Sequence, residues 1–201
     1  MTASTLVFDL GNVVIEWDPR NLYRKLFVDP AAMEHFLHHV WTREWNIQLD
    51  LGRSFADGVA ELAARHPEHA AMIRAYHERW PETMGGAVPG IEPLLGELAA
   101  RGHRLYALSN WSAETFPHAR ARFAVLERFD AIVISGDVGV AKPDPRIYAR
   151  FLARVGRRAE DCLFVDDMAE NVHAARACGF EALVFTSANA LRSELARRGF
   201  V

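Results

Sequence analysis

Short apolar runs alternate with longer amphipathic stretches through much of the chain. Thr5–Leu10, Arg104–Ser109, Ala131–Ser135, Cys162–Val165 and Ala182–Phe185 are rich in Val, Ile, Leu and Phe. Runs of about four to six such residues suit strands buried on both faces of a parallel sheet. Between them, Ile91–Arg101, Ala113–Phe123, Arg146–Val155 and Ala169–Cys178 read as helices. Gly102 and Gly179 stand where two of these helices should stop, because glycine accepts a left-handed cap at low cost. The order predicts an α/β fold with a Rossmann-like three-layer core, in which crossover helices cover a parallel sheet.

The first strand breaks the alternation. After Leu10 the next strand-like run is Arg104–Ser109, and the chain from about Glu16 to Gly86 reads as helical throughout. Asp18-Pro19 and Asp29-Pro30 in this stretch, and Asp144-Pro145 later, are helix starts. The Asp side chain caps free amides, and Pro occupies the first turn without losing a needed donor. Phe55–Arg65 and Ala70–Arg79 are further helices, separated near Pro67, and Gly85-Gly86 with Pro89-Gly90 forms a return linker. The expected organisation is a core of residues 1–15 and 86–201, with 16–85 inserted after the first strand as a small all-helical cap.

Composition narrows the class. A chain of 201 residues, 50% hydrophobic and 24% charged, suffices for one buried core with one small appended unit. A net charge of −3 argues against a general nucleic-acid binder. The arginines at 154–158 and 197–198 read as solvated helix faces and ends. Cys162 and Cys178 have no metal-type partner at short spacing and read as free thiols of a reducing compartment. No run approaches the ~18 apolar residues of a membrane span, and the N-terminus lacks a secretory pattern. The expectation is a cytoplasmic protein, a monomer or a homodimer, without nucleic-acid or membrane partners.

Ligands of open parallel sheets sit beyond the carboxyl ends of the strands. The residues ending the expected strands are Asp9, Ser109-Asn110 and Asp166-Asp167, and Lys142 lies in the loop after the third strand. Taken singly, each has a structural reading as a turn, a cap or an exposed lysine. Together they bring three carboxylates, a hydroxyl and an ammonium to one edge. Clustered carboxylates raise one another's pKa unless a cation holds them. A hard oxygen-ligated ion such as Mg²⁺ is the simplest compensation.

These four pieces, in this order, resemble the four motifs of the haloacid dehalogenase-like (HAD) hydrolase superfamily, and the resemblance spans nearly the whole chain. Phe-Asp-Leu-Gly-Asn-Val, Leu-Ser-Asn and Phe-Val-Asp-Asp are similar to the motifs of bacterial phosphatases acting on α-glucose 1-phosphate. The resemblance implies that Asp9 attacks phosphorus to form an aspartyl-phosphate, which water then cleaves. It implies Mg²⁺ held by Asp9, the Gly11 carbonyl and Asp167, with Asp166 a ligand or a partner behind the ligands. Ser109 and the Asn110 backbone amide would hold phosphoryl oxygens, and Lys142 would neutralise charge on the phosphoryl group and on Asp9. The substrate would be a small phosphorylated metabolite, a sugar phosphate by resemblance.

One position departs from the family pattern. Most phosphatases of the superfamily carry a second Asp two residues after the nucleophile, where it protonates the leaving oxygen and then activates water. Here that position is Gly11, and general acid–base help is worth about 10²–10⁴-fold. A group from the cap or a bound water could substitute, or the substrate could need less protonation. An L-2-haloacid dehalogenase acting through an aspartyl ester is an alternative, with Arg20, Arg24 and Arg43 as halide or carboxylate candidates. A degenerate, non-catalytic protein binding a phospho-ligand or a partner is another. The cap also carries Trp17, Trp41, Trp45 and Trp80, with His35, His38 and His39. Core packing is the first reading of the tryptophans, with one or two available to stack on a sugar. The histidines read as surface or packing residues, and Trp111 is placed to pack over the phosphate loop.

Overall fold

The structure, a computed structural model, describes residues 4–201. Its main sheet is built from β1 (Thr5–Phe8), β4 (Arg104–Ser109), β5 (Ala131–Ile134), β6 (Cys162–Asp166) and β7 (Glu181–Val184). The strand order is β5-β4-β1-β6-β7, and every pairing is parallel. After β1 the chain builds one side of the sheet, then crosses back to build the other. The order therefore reverses at β1, and the residue that follows it, Asp9, occupies the switch point.

Alternation along the strands separates two apolar layers. Leu6 and Phe8 face one cluster, which includes Ile91, Leu94 and Leu98 of α6 (Ile91–Ala100) and Leu191 and Leu195 of α11 (Ala188–Arg197). Val7 faces the other, with Ile147, Tyr148 and Phe151 of α9 (Pro145–Val155) and Val172 and Ala175 of α10 (Ala169–Ala177). A sheet covered on both faces is the three-layer arrangement expected. Short crossovers complete this part, with α7 (Phe116–Arg122) after β4 and α8 (Ser135–Val138) after β5. Helix α7 is shorter than the expected 113–123, because Ser112–Thr115 forms turns in which the Ser112 carbonyl accepts from the Thr115 and Phe116 amides. Gly102 and Gly179 sit at φ +82° and +91°, past the ends of α6 and α10 as helix-stopping residues should.

The inserted stretch contains α1 (Arg20–Tyr23), α2 (Pro30–His39), α3 (Arg43–Asp50), α4 (Phe55–Arg65) and α5 (Ala70–Glu78). Asp29 and Asp144 cap as expected, accepting from the amides of Ala31 and Arg146 at 2.9 Å each. Asp18 accepts from Arg20 N at 2.8 Å. The stretch is not helical throughout, however. An antiparallel ribbon of β2 (Ile15–Trp17) and β3 (Met84–Ala87) forms its base. Gly85 and Gly86 are thus strand residues rather than linker. Three- and four-residue strands with two glycines carry too little alternation to be read from the chain. No separate apolar core fills the inserted helices: Tyr23, Phe36, Leu49, Leu62 and Tyr76 join the same cluster as Leu6 and Phe8. Among the described residues, no helix is long and apolar enough to cross a membrane.

Candidate active site

Asp9 follows β1 directly, and the next residues turn sharply. The Leu10 carbonyl accepts from the amides of both Val14 and Ile15, and Asn12 N donates to the Ile15 carbonyl at 2.7 Å. Asn12 takes a left-handed φ of 55°, which Asn tolerates better than most residues. Its Oδ1 accepts from Trp17 N, so the turn is locked to the start of the cap. Gly11 lies inside this turn, and a side chain built there would meet nothing within 4 Å.

Three donors converge on one oxygen of Asp9. Its Oδ1 accepts from Leu10 N at 2.7 Å and Ser109 Oγ at 2.5 Å, and Lys142 Nζ lies 2.9 Å away. Among the described residues, no such donor reaches Oδ2. Ser109 comes from the end of β4, which lies beside β1 with Ala107 opposite Phe8. Adjacent parallel strands thus place the two side chains together although a hundred positions separate them.

Lys142 is the centre of the charge arrangement. It is 2% exposed, and its three N–H groups have three partners: Asp9 Oδ1, Asp166 Oδ2 at 2.7 Å and the Leu108 carbonyl at 2.9 Å. Burial disfavours its charge, but Asp9 and Asp166 outweigh burial and hold its pKa above the ordinary lysine range. The same burial pushes Asp9 above the usual carboxylate range against the pull of Lys142, with Asp166 adding to the rise. Asp167 is also raised, by burial first and by Asp166 second.

Asp166 and Asp167 divide in environment. Asp166 is 0% exposed; its oxygens accept from Lys142 Nζ, Met168 N and Asn171 Nδ2. Asp167 is half-buried and lines the open cleft. One oxygen from each of Asp9, Asp166 and Asp167 falls within a single 4.8 Å group. An all-carboxylate donor set of this size, with Asp9 Oδ2 and Asp167 still available, fits a hard divalent cation such as Mg²⁺. Burial of uncompensated like charge otherwise costs several kcal/mol, on the order of 3–5 where a partner is missing.

The cleft above these residues is a cavity of about 300 Å³. The core contributes Asp9, Gly11, Ser109, Asn110, Lys142 and Asp167, and the inserted helices contribute Trp17, Arg20, Trp41, Arg43, Asn46 and Asp50. Asp9, Lys142, Ser109, Asn110, Gly11, Asp166 and Asp167, all expected from the sequence, therefore meet at one place. Arg20 and Arg43 reach the cleft but are already paired, Arg20 with Glu34 through two 2.7 Å bonds and Arg43 with Glu170 at 2.7 Å. None of the cap histidines lines the cavity; His35, His38 and His39 are exposed. Trp41, Trp45 and Trp80 are buried, and Trp111 packs 5.8 Å from Trp80, centroid to centroid. Three contributors were not read from the chain: Asn46, Asp50 and Asn171. Asn171 follows Asp166 by five positions at the start of α10, a spacing that could have marked it.

A parallel sheet with a carboxylate-and-lysine cluster at its switch point, roofed by inserted helices, defines the chain as a Rossmann-like α/β protein with its site beyond the strand ends. It belongs to the haloacid dehalogenase-like hydrolase family, whose sequence profile matches residues 3–179. Among curated relatives, the sesquiterpene phosphatase astK of Aspergillus oryzae is 29% identical, over 96% of this chain and 95% of its own. Phosphatase MT3486 of Mycobacterium tuberculosis is 32% identical, over 85% of this chain and 69% of its own. The fold is shared with the HAD family enzyme bt-2542 of Bacteroides thetaiotaomicron in its magnesium complex, with a TM-score of 0.74 at 20% identity, over 98% of this chain and 100% of that one. It is shared too with the L-2-haloacid dehalogenase of Xanthobacter autotrophicus, with a TM-score of 0.64 at 21% identity, over 99% of this chain and 84% of that one.

Proposed function

We propose that the protein is a Mg²⁺-dependent phosphatase that hydrolyses a small phosphorylated metabolite through an aspartyl-phosphate on Asp9. The observation that carries this reading is the group of Asp9, Asp166 and Asp167 oxygens within 4.8 Å beside the buried ammonium of Lys142. A halide-displacing aspartate has no need of two further carboxylates; a phosphoryl group with its metal uses them. Phosphatase relatives support the same side.

In this reading Asp9, Asp167 and the Gly11 carbonyl would hold Mg²⁺, which would supply charge neutralisation and orientation for the phosphoryl group. Asp166, whose oxygens already accept from Lys142, Met168 and Asn171, would be a further ligand or the partner that holds Lys142 in place behind the ligands. Ser109 Oγ and the Asn110 amide are the phosphoryl-oxygen donors. Asp9 attacks phosphorus, the bond from phosphorus to the leaving oxygen breaks, and that oxygen takes a proton. Water then attacks the aspartyl-phosphate, giving inorganic phosphate and free Asp9. Preorganised charge contributes most, because the reaction asks for positioning and stabilisation more than for covalent machinery.

The cavity favours a hydroxylated leaving group. Trp17 and Trp41 line the main cavity, and Trp17 and Trp111 line a smaller one beside it. Indole faces stack on sugar rings. A sugar phosphate such as α-glucose 1-phosphate therefore suits the site, in keeping with the motif resemblance.

The second reading, an L-2-haloacid dehalogenase, has in its favour Arg20 and Arg43 at the cleft and the glycine at position 11. The test is hydrolysis of α-glucose 1-phosphate, p-nitrophenyl phosphate and L-2-chloropropionate, each with Mg²⁺ and with EDTA. Phosphate release that EDTA stops is the expected result. Chloride release indifferent to EDTA would install the dehalogenase, and silence on all three would leave a binding protein.

A further inference from the structure

We propose that Asp50, the last residue of α3, is the general acid and base of the reaction, delivered by the cap to the space that position 11 leaves empty. The proposal rests on the phosphatase reading and names the group that this reading lacks.

The geometry comes first. Gly11 and Asp50 line one small cavity of about 80 Å³, together with Asn46, Asn110 and Trp111. Both also line the main cleft with Asp9. A Cβ on Gly11 would meet nothing within 4 Å, so the volume that a second aspartate could fill on the core side is open. Asp50, at the end of α3, is the carboxylate of the inserted helices that lines the same cavity.

Asp50 is held there from both sides of the seam. Helix α3 ends at Asp50, and Gly52 turns the chain with a φ of +99°. The Asp50 carbonyl accepts from Ser135 Oγ, a core residue, at 2.5 Å. Its carboxyl Oδ2 accepts from Asn46 Nδ2 at 3.0 Å, and Asn46 Oδ1 in turn accepts from Tyr76 Oη at 2.6 Å. This chain of bonds orients the carboxyl without a cationic partner. Among the described residues the carboxyl has no ion-pair partner, and its residue is held across the boundary between the inserted helices and the core while lining the cleft.

Its protonation suits the task. Enclosure lifts the Asp50 pKa from the ordinary 3.8 to about 7, with only the Ser112 backbone pulling it down. The titratable group that feels its charge is Tyr76 from α5; Asp9, Lys142 and Asp167 from the core, Arg20 from α1 and Arg43 from α3 itself line the same cleft. An acid near neutrality both gives and takes a proton efficiently. In the first step Asp50 gives its proton to the leaving oxygen as the bond to phosphorus breaks. In the second, the Asp50 carboxylate takes a proton from the water that attacks the aspartyl-phosphate, and the acid is restored.

The test compares wild type, Asp50→Asn, Gly11→Asp and the double variant on α-glucose 1-phosphate and p-nitrophenyl phosphate with Mg²⁺. We expect Asp50→Asn to lower kcat on the sugar phosphate by about 10²–10⁴-fold. On p-nitrophenyl phosphate, whose leaving group needs no proton, Asp50→Asn should give a rapid burst of about one p-nitrophenol per enzyme followed by slow turnover. Gly11→Asp should restore turnover in the Asp50→Asn background, since it places a carboxyl in the same space from the other wall. Asp50→Asn turnover within about threefold of wild type on the sugar phosphate would overturn the proposal. So would a raised KM at constant kcat, which marks a residue that only binds a substrate hydroxyl. Wild type inactive on both phosphates would sink the phosphatase reading and the proposal with it; an active wild type with a dispensable Asp50 would sink the proposal alone. Should Asp50→Asn fail to fold, the wild-type pH profile decides. Turnover of the sugar phosphate should fall above about pH 7 while the p-nitrophenol burst rate holds, and a sugar-phosphate profile flat to pH 9 would overturn the assignment.

Discussion

Asn110 and Lys142 hold each other by two reciprocal hydrogen bonds: Asn110 Nδ2 donates to the Lys142 carbonyl at 2.9 Å, and Lys142 N donates to Asn110 Oδ1 at 2.8 Å. The pair clips the loop after β5 to the end of β4 and so aims the lysine side chain at Asp9. Asn110→Ala should therefore act through Lys142. A displacement of about 1 Å at a reacting group can cost about 100-fold in rate, so kcat should fall by roughly 10–100-fold with the fold retained. Steady-state kinetics beside a thermal melt would check this, and an unchanged kcat would show that the loop needs no clip.

Removing the Lys142 charge should damage stability as well as activity. In Lys142→Met, Asp9 and Asp166 remain buried without their shared cation, and breaking a buried pair typically costs about 3–5 kcal/mol. The sign with pH follows from Asp9, which burial already holds above the usual carboxylate range. Without the lowering pull of Lys142 its folded pKa moves further up, so the variant is least impaired near pH 4 and loses stability as pH rises through neutrality. For a chain of this length the melting temperature near pH 7 should drop by roughly 10 °C.

Asp9→Asn should behave in the opposite way. The substitution keeps the volume and removes one buried negative charge, while Lys142 retains Asp166 at 2.7 Å. Turnover should vanish with the melting temperature unchanged or raised. Residual activity above that of a mock purification would place the nucleophile elsewhere.

Magnesium should stabilise the folded protein. A ligand that binds only the native state adds about 2.7 kcal/mol at 100 times its Kd, several degrees in melting temperature. Asp167→Asn should abolish the shift, because Asp167 is the open carboxylate of the cluster, half-buried in the cleft wall. Equal shifts in wild type and variant would remove Asp167 from the ion's ligands.

Asp50 makes a stability prediction that is independent of turnover. Its folded pKa, about 7, exceeds the ordinary 3.8, so the folded state keeps a proton that the unfolded chain has lost. The contribution is fully present below about pH 4 and is lost as pH rises through 7. Relative to Asp50→Asn, wild type should lose at most about 4 kcal/mol across that window, and less to the extent that cleft water screens the charge. Denaturant melts of both proteins at pH 4.5 and 8 would measure the difference; parallel curves would contradict the raised value.

The strands were legible in the chain because each is a short apolar-rich run, buried on both faces in the central β1 and β6 and partly covered at the edges, and such runs announce themselves locally. For the same reason Asp9, Ser109 and Asp166 could be found: each is a polar residue that abruptly ends an apolar run, at the sheet edge where ligands sit. Lys142 was legible by its motif, and its pairing with Asp9 by the resemblance, though its bonds to Asp166 and the Leu108 carbonyl were not. What the local pattern could not carry was anything decided by contact between distant segments. The ribbon of Ile15–Trp17 with Met84–Ala87 exists because two short strands meet across the inserted helices, not because either has a strand's periodicity. The division of labour between Asp166 and Asp167, identical neighbours in sequence, depends on which one Asn171 and Lys142 reach. Asp50 ends a helix in a manner indistinguishable from any solvated terminus until the packing of α3 on Ser135 sets it in the wall of the cavity that Gly11 also lines. The sequence alone determined which residues could do the chemistry at the sheet edge. Tertiary structure alone decided which of them share a buried charge network and which residues of the inserted helices line the cleft above, because burial and proximity are properties of the packed chain.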